Sequence, residues 1–88
     1  MTDYVAEHFK SHPLKSHERV RPTLVCKDGT EISIQSSPNH YCTEGMSVEC
    51  MFDYRPRGLR RYLRGGVWSY VPIYEVNRLI RRHGGNAK

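Results

Sequence analysis

From Thr23 onward, apolar residues fall on alternate positions. In TLVC (residues 23–26) Leu24 and Cys26 share one face, and in TEISIQ (residues 30–35) Ile32 and Ile34 share another. Asp28-Gly29 lies between the two runs and supplies the positive φ angles of a tight hairpin. After the loop SSPNHYCTEG the alternation returns in SVECMFDY (residues 47–54). There Val48, Cys50 and Phe52 lie on one side, Glu49 and Asp53 on the other, which predicts a third, half-buried strand. The run VWSYV (residues 67–71) is β-prone and short.

The period then changes. Ile73, Val76, Leu79 and Ile80 form one apolar stripe, which predicts a helix. Pro72 suits its first turn, where a missing N–H costs nothing, and Glu75 lies near the positive end of the helix dipole. Arg81, Arg82 and His83 suit the negative end, and Gly84-Gly85 stops the helix.

Residues 1–22 show no sustained period. Thr2 is a candidate cap for a short helix with Val5 and Phe9 one turn apart, and Pro13 would stop it, so this stretch reads as a peripheral, partly mobile arm. The expected fold is α+β: an antiparallel sheet of three to four strands with one C-terminal helix packed on one face. The domain is expected over residues 23–85, followed by a tail at 86–88, and the expected core is Leu24, Ile32, Ile34, Val48, Phe52, Val76, Leu79 and Ile80.

Length and composition bound this picture. An 88-residue chain makes one domain. A chain of that size buries only about 60% of the surface its unfolded form exposes, so little stability is spare. No apolar run approaches a membrane-spanning length, and MTDYVAEHFK lacks the basic start and apolar segment of a signal peptide; a cytoplasmic location is the expectation. Cys26, Cys42 and Cys50 are an odd number without close pairing, which predicts free thiols.

Charge adds the strongest signal. Residues 1–53 carry five Lys or Arg against eight Asp or Glu, whereas residues 54–88 carry nine against one, and eight of those nine are arginine. Charges of one sign add into a field that attracts phosphate, anionic lipid or an acidic protein surface. Five of the arginines, Arg55, Arg57, Arg60, Arg61 and Arg64, crowd into RPRGLRRYLRGG (residues 55–66), which reads as an exposed basic loop. Tyr54 and Tyr62 interleave with them and offer rings for base stacking. Arg78, Arg81 and Arg82 on the last helix turns extend the same candidate surface for a partner or nucleic acid.

Catalysis and metal binding have weaker signals. Cys42 two residues from His40 resembles an activated thiol, but no third residue is placed to orient the histidine and no oxyanion site is evident. Cys26, His40, Cys42 and Cys50 number four, as structural zinc requires, yet only His40 and Cys42 are close in sequence. His8 and His12 share a helical face without further ligands. Neither enzyme activity, cofactor nor metal is therefore expected. Ser36, Ser37, Pro38 and Asn39 have an adequate structural job as turn residues, with Asn39 tolerating a left-handed conformation.

The segments Ser33-Ile34-Gln35-Ser36-Ser37-Pro38-Asn39-His40-Tyr41-Cys42, Tyr70-Val71-Pro72 and His83-Gly84-Gly85 stand in that order. Together they resemble a family of short bacteriophage and prophage reading frames with the pattern S-[VI]-Q-[AS]-S-x-x-H-Y-C, then Y-V-P, then a helix ending H-G-G. The resemblance covers about residues 23–85 and implies a phage origin and a host bacterial cytoplasm rather than an established activity. It also suggests that the SSPNHYC loop packs on the H-G-G helix end. The middle of such frames is often acidic and longer, so a partner chosen by the basic loop is particular to this chain. Two function classes follow. One is a small phage-encoded inhibitor of a host protein or nucleoprotein defence complex, of the anti-CRISPR kind, docking through its arginines. The other is a direct DNA- or RNA-binding protein with little sequence preference.

Overall fold

A computed structural model describes residues 2–15 and 17–87. Met1 and Ser16 of the expected arm and Lys88 of the expected tail lie outside the described residues. In chain order the elements are α1 (Tyr4–Ser11), β1 (Leu24–Val25), β2 (Glu31–Gln35), β3 (Ser47–Phe52), a 3-10 turn (Arg60–Tyr62), β4 (Leu63–Arg64), β5 (Val67–Pro72) and α2 (Ile73–Arg82). The fold is α+β, with one antiparallel sheet in the order β1-β2-β3-β5-β4 and α2 on its apolar face. There are five strands rather than three or four. The added strand, β4, lies inside the stretch read as a basic loop: Gly65 (φ 57°) and Gly66 (φ 89°) form the two-residue turn of a β4–β5 hairpin.

The first hairpin closes differently from the expectation. Cys26 N–H donates to Thr30 and Gly29 N–H to Cys26, so Lys27, Asp28 and Gly29 make a three-residue loop in which Gly29 alone has positive φ (92°). Asp28 keeps negative φ and turns its carboxylate onto Thr30 N–H at 2.9 Å. Pro72, read into the first turn of the helix, instead ends β5 with φ −56° and ψ 139° and takes the N-cap position of α2 without a side-chain cap. The first helical N–H, on Ile73, then finds the Met46 carbonyl.

The core contains every residue expected of it, with Phe52 only partly buried. It also takes Val5, Cys26, Cys50, Leu59, Trp68 and Val71. Val5 ties α1, which lies in the stretch read as a peripheral arm, to the body of the protein. Asp3, not Thr2, caps α1 by accepting from Ala6 N–H at 3.0 Å, and Asn77 accepts from Val5 N–H and donates to Asp3. Burying Val5 completely is worth about 1.5–3 kcal/mol relative to an exposed position. Further along, Arg21 donates to the carbonyls of His12 and Ser36 while its guanidinium covers Phe9, which clamps the end of α1 to the end of β2. At the other terminus Asn86 bridges Cys26, and Ala87 N–H donates to Val25, so the expected tail pairs with the sheet edge as far as Ala87.

Candidate partner-binding surface

The segment between β3 and β4 crosses the edge of the core. Pro56 and Leu59 point inward and are buried, while Arg55, Arg57 and Arg60 stay exposed on either side of them. These three arginines, with Pro56 and Gly58, rim an open cleft of about 490 Å³ whose apolar wall is Leu63 and Trp68. Leu63 and Trp68 face each other across the β4–β5 pair. Arg57 also borders a small recess with Leu59, Glu75, Arg78, Leu79 and Arg82, so the loop and helix arginines meet along one side of the molecule. Glu75 is buried and ion-paired to Arg78, which is the one carboxylate–guanidinium pair among the described residues. Arg55, Arg57, Arg60 and Arg81 have neither an ion pair nor a side-chain hydrogen bond among the described residues. Their positive field is therefore uncompensated by any carboxylate among the described residues.

Arg61 and Arg64 go elsewhere. Arg64 and Val67 pair one step beyond Leu63 and Trp68 and therefore face the opposite side of the sheet. The 3-10 turn separates Arg60 from Arg61: the first lines the cleft, and the second lies with Tyr62, Arg64, Ser69 and Tyr70 on the far side. Of the ten residues proposed from sequence, Arg55, Arg57, Arg60, Arg78 and Arg82 thus border one surface and Arg61, Tyr62 and Arg64 another.

The two tyrosines also change role. Tyr54 is committed to the fold: its hydroxyl lies 2.8 Å from His83 Nε2, and His83 Nδ1 lies 2.6 Å from the Asp28 carboxylate. An ionised carboxylate only accepts, so Nδ1 carries the proton; in the neutral ring Nε2 then accepts from Tyr54. Partial burial, and after it the charges of Cys26 and Asp53, raise the Tyr54 pKa and keep the phenol protonated. Hydrogen bonds from Thr30 and His83 lower Asp28 to about 2. Tyr62 is half-buried, with the Arg61 guanidinium 5.7 Å from its ring centre.

The SSPNHYC loop does not pack on the H-G-G helix end. Tyr70 N–H donates to the Tyr41 carbonyl at 2.9 Å, which joins the loop to Y-V-P at the other end of α2. His83-Gly84-Gly85 instead clasps the first hairpin, because the carbonyls of His83 and Gly85 accept from Asp28 and Lys27 N–H. Gly84 has φ 94°, and a Cβ there would meet Lys27 Cβ at 3.1 Å, so both backbone and space call for glycine. Asn39 has negative φ in the loop. His40 Nδ1 is 2.6 Å from Ser37 Oγ, and the Cys42 thiol turns to Ser36 and Ser37, so His40 and Cys42 meet only through the backbone, where Cys42 N–H donates to the His40 carbonyl at 2.9 Å.

Cys26 and Cys50 are core residues; burial, and then Asp28, raises Cys26 to about 11, and burial, and then Glu49, pushes Cys50 up as well. His8 spends Nε2 on the Pro22 carbonyl at 2.9 Å. Among the described residues no group of three or more His, Cys, Asp or Glu is placed to hold a metal ion. Nor is any described helix long and apolar enough to cross a membrane. No family model, curated protein or solved structure matches the chain.

Proposed function

We propose that this chain is a small phage-encoded binding protein that inhibits a host protein or nucleoprotein defence complex, of the anti-CRISPR kind, by seating its arginine cleft on an acidic segment of that target. The observation that carries the reading is the cleft itself: Arg55, Arg57 and Arg60, with no carboxylate paired to them among the described residues, stand around an apolar wall of Leu63 and Trp68. A phosphate backbone would use the guanidinium groups and leave the wall uncovered. A protein segment that alternates acidic and apolar side chains uses both, with the apolar contact supplying affinity and the charges supplying rate and register. The phage and host-cytoplasm parts of the proposal draw on the resemblance carried by residues 33–42, 70–72 and 83–85.

Capture from bacterial host lysate tests it. Tagged wild-type protein is expected to retain a discrete complex at physiological salt, and a variant with Arg57→Glu and Arg60→Glu is expected to lose it while melting at the wild-type temperature. Equal retention by the charge-reversed variant would remove the cleft from the mechanism. Direct nucleic-acid binding predicts instead that the wild type retains nucleic acid without a discrete protein.

A further inference from the structure

The surface opposite the cleft has its own chemistry. Two shallow recesses, of about 520 and 350 Å³, adjoin there and share Arg64, Ser69 and Tyr70. Tyr41 closes the first; Arg61 and Tyr62 close the second. Tyr41 is 61% exposed and Tyr70 53%, more than aromatic rings need to be in a chain this short of core. Tyr41, Tyr62 and Tyr70 make no ring contact with one another among the described residues, so the exposed faces of Tyr41 and Tyr70 are open.

Tyr70 is also held in place at a cost. It is the one non-glycine residue with positive φ (53°) among the described residues. The register explains how: between the pairs Val48↔Val71 and Cys50↔Trp68, β5 spends one residue more than β3, and the bulge re-aims Tyr70. The bond from Tyr70 N–H to the Tyr41 carbonyl fixes the two tyrosines relative to each other. Arg64 is anchored in turn, since its Nη1 donates to the carbonyls of Arg61 and Leu63, both at 3.0 Å. Glu49 accepts from Tyr41 N–H at 2.9 Å. A bulky residue kept in a sparsely populated backbone state, ring outward, marks a surface whose geometry matters.

We infer that this face binds single-stranded nucleic acid, with bases stacked on Tyr41 and Tyr70 and the phosphate chain on Arg61 and Arg64. Rings with open faces beside anchored guanidinium groups suit unpaired bases, which every strand presents whatever its sequence. Duplex hides those faces. The site is separate from the cleft and does not rest on the function proposed for it.

The test is fluorescence anisotropy with labelled dT10 at two salt concentrations. Tyr70→Gly removes the ring and relieves the positive φ, so it should weaken binding on the order of tenfold while raising the melting temperature. Tyr41→Ala should lose a similar factor. Arg64→Gln should lower the salt dependence by about one ion, whereas Arg60→Gln, equal in net charge but on the cleft side, should not. Weaker binding of a ten-base-pair duplex would support stacking. The inference is overturned if dT10 does not bind, if the tyrosine variants bind like wild type, or if Arg60→Gln and Arg64→Gln lose equally. Failure here leaves the cleft untouched, because the Arg57 and Arg60 variants report on it alone.

Discussion

The phenol of Tyr54 and the imidazole of His83 meet at 2.8 Å, although 29 positions separate them in sequence. Through this bond the end of β3 is tied to the cap of α2, and through His83 to Asp28 and Thr30 of the first hairpin. Three elements converge on one histidine. Tyr54→Phe keeps the ring against Phe52 but deletes the hydroxyl, and denaturant unfolding should show a loss of about 1 kcal/mol. Binding that depends on the arginines should be unaffected.

The same cluster sets an acid limit. The Asp28 pKa is lowered from 3.8 to about 2, so its contribution is present above about pH 4 and is lost as pH falls through the folded-state value. Melting temperatures measured from pH 5 to pH 2 should fall more steeply for wild type than for Asp28→Asn across that window. Parallel curves would show that the carboxylate does not matter to folding.

Thiol chemistry should separate the three cysteines. Cys26 and Cys50 are buried with raised pKa values, and Cys42 is half-buried in a surface loop. A chromogenic disulfide reagent should therefore titrate one thiol rapidly in native protein and three in denaturant, with Cys42→Ser abolishing the rapid phase.

Strain gives a further stability prediction. Tyr70→Gly should raise the unfolding free energy by about 1 kcal/mol, because glycine accepts the left-handed backbone that tyrosine resists. Calorimetry of the two proteins checks it.

The regular strands and α2 were legible because each buries a simple stripe: Ile32 and Ile34 at period two, Val76, Leu79 and Ile80 at helical spacing. Helix α1 was only half legible. Its buried face pairs Val5 with His8, a polar residue made tolerable by the Pro22 carbonyl, which no hydropathy pattern reveals. Strand β4 was hidden by arginine, even though Gly65-Gly66 carried the turn signal. At the candidate site, sequence found the arginines but not their division, since only the 3-10 turn sends Arg60 and Arg61 to different faces. Tyr70 was missed because a register shift, not a spacing, brings it out, and Tyr41 because only the bond from Tyr70 N–H to its carbonyl sets the two side by side.

The cleft can be tested most directly through Trp68, the one tryptophan of the chain and part of the cleft wall. An acetylated peptide of glutamates around a central leucine should change Trp68 emission saturably at physiological salt. An all-glutamate peptide of equal length should bind at least several-fold more weakly, since it cannot cover the apolar wall. Arg57→Gln with Arg60→Gln should abolish the change. Equal response to both peptides, or an unaltered response in the double variant, would contradict an acidic protein segment as the ligand of the cleft.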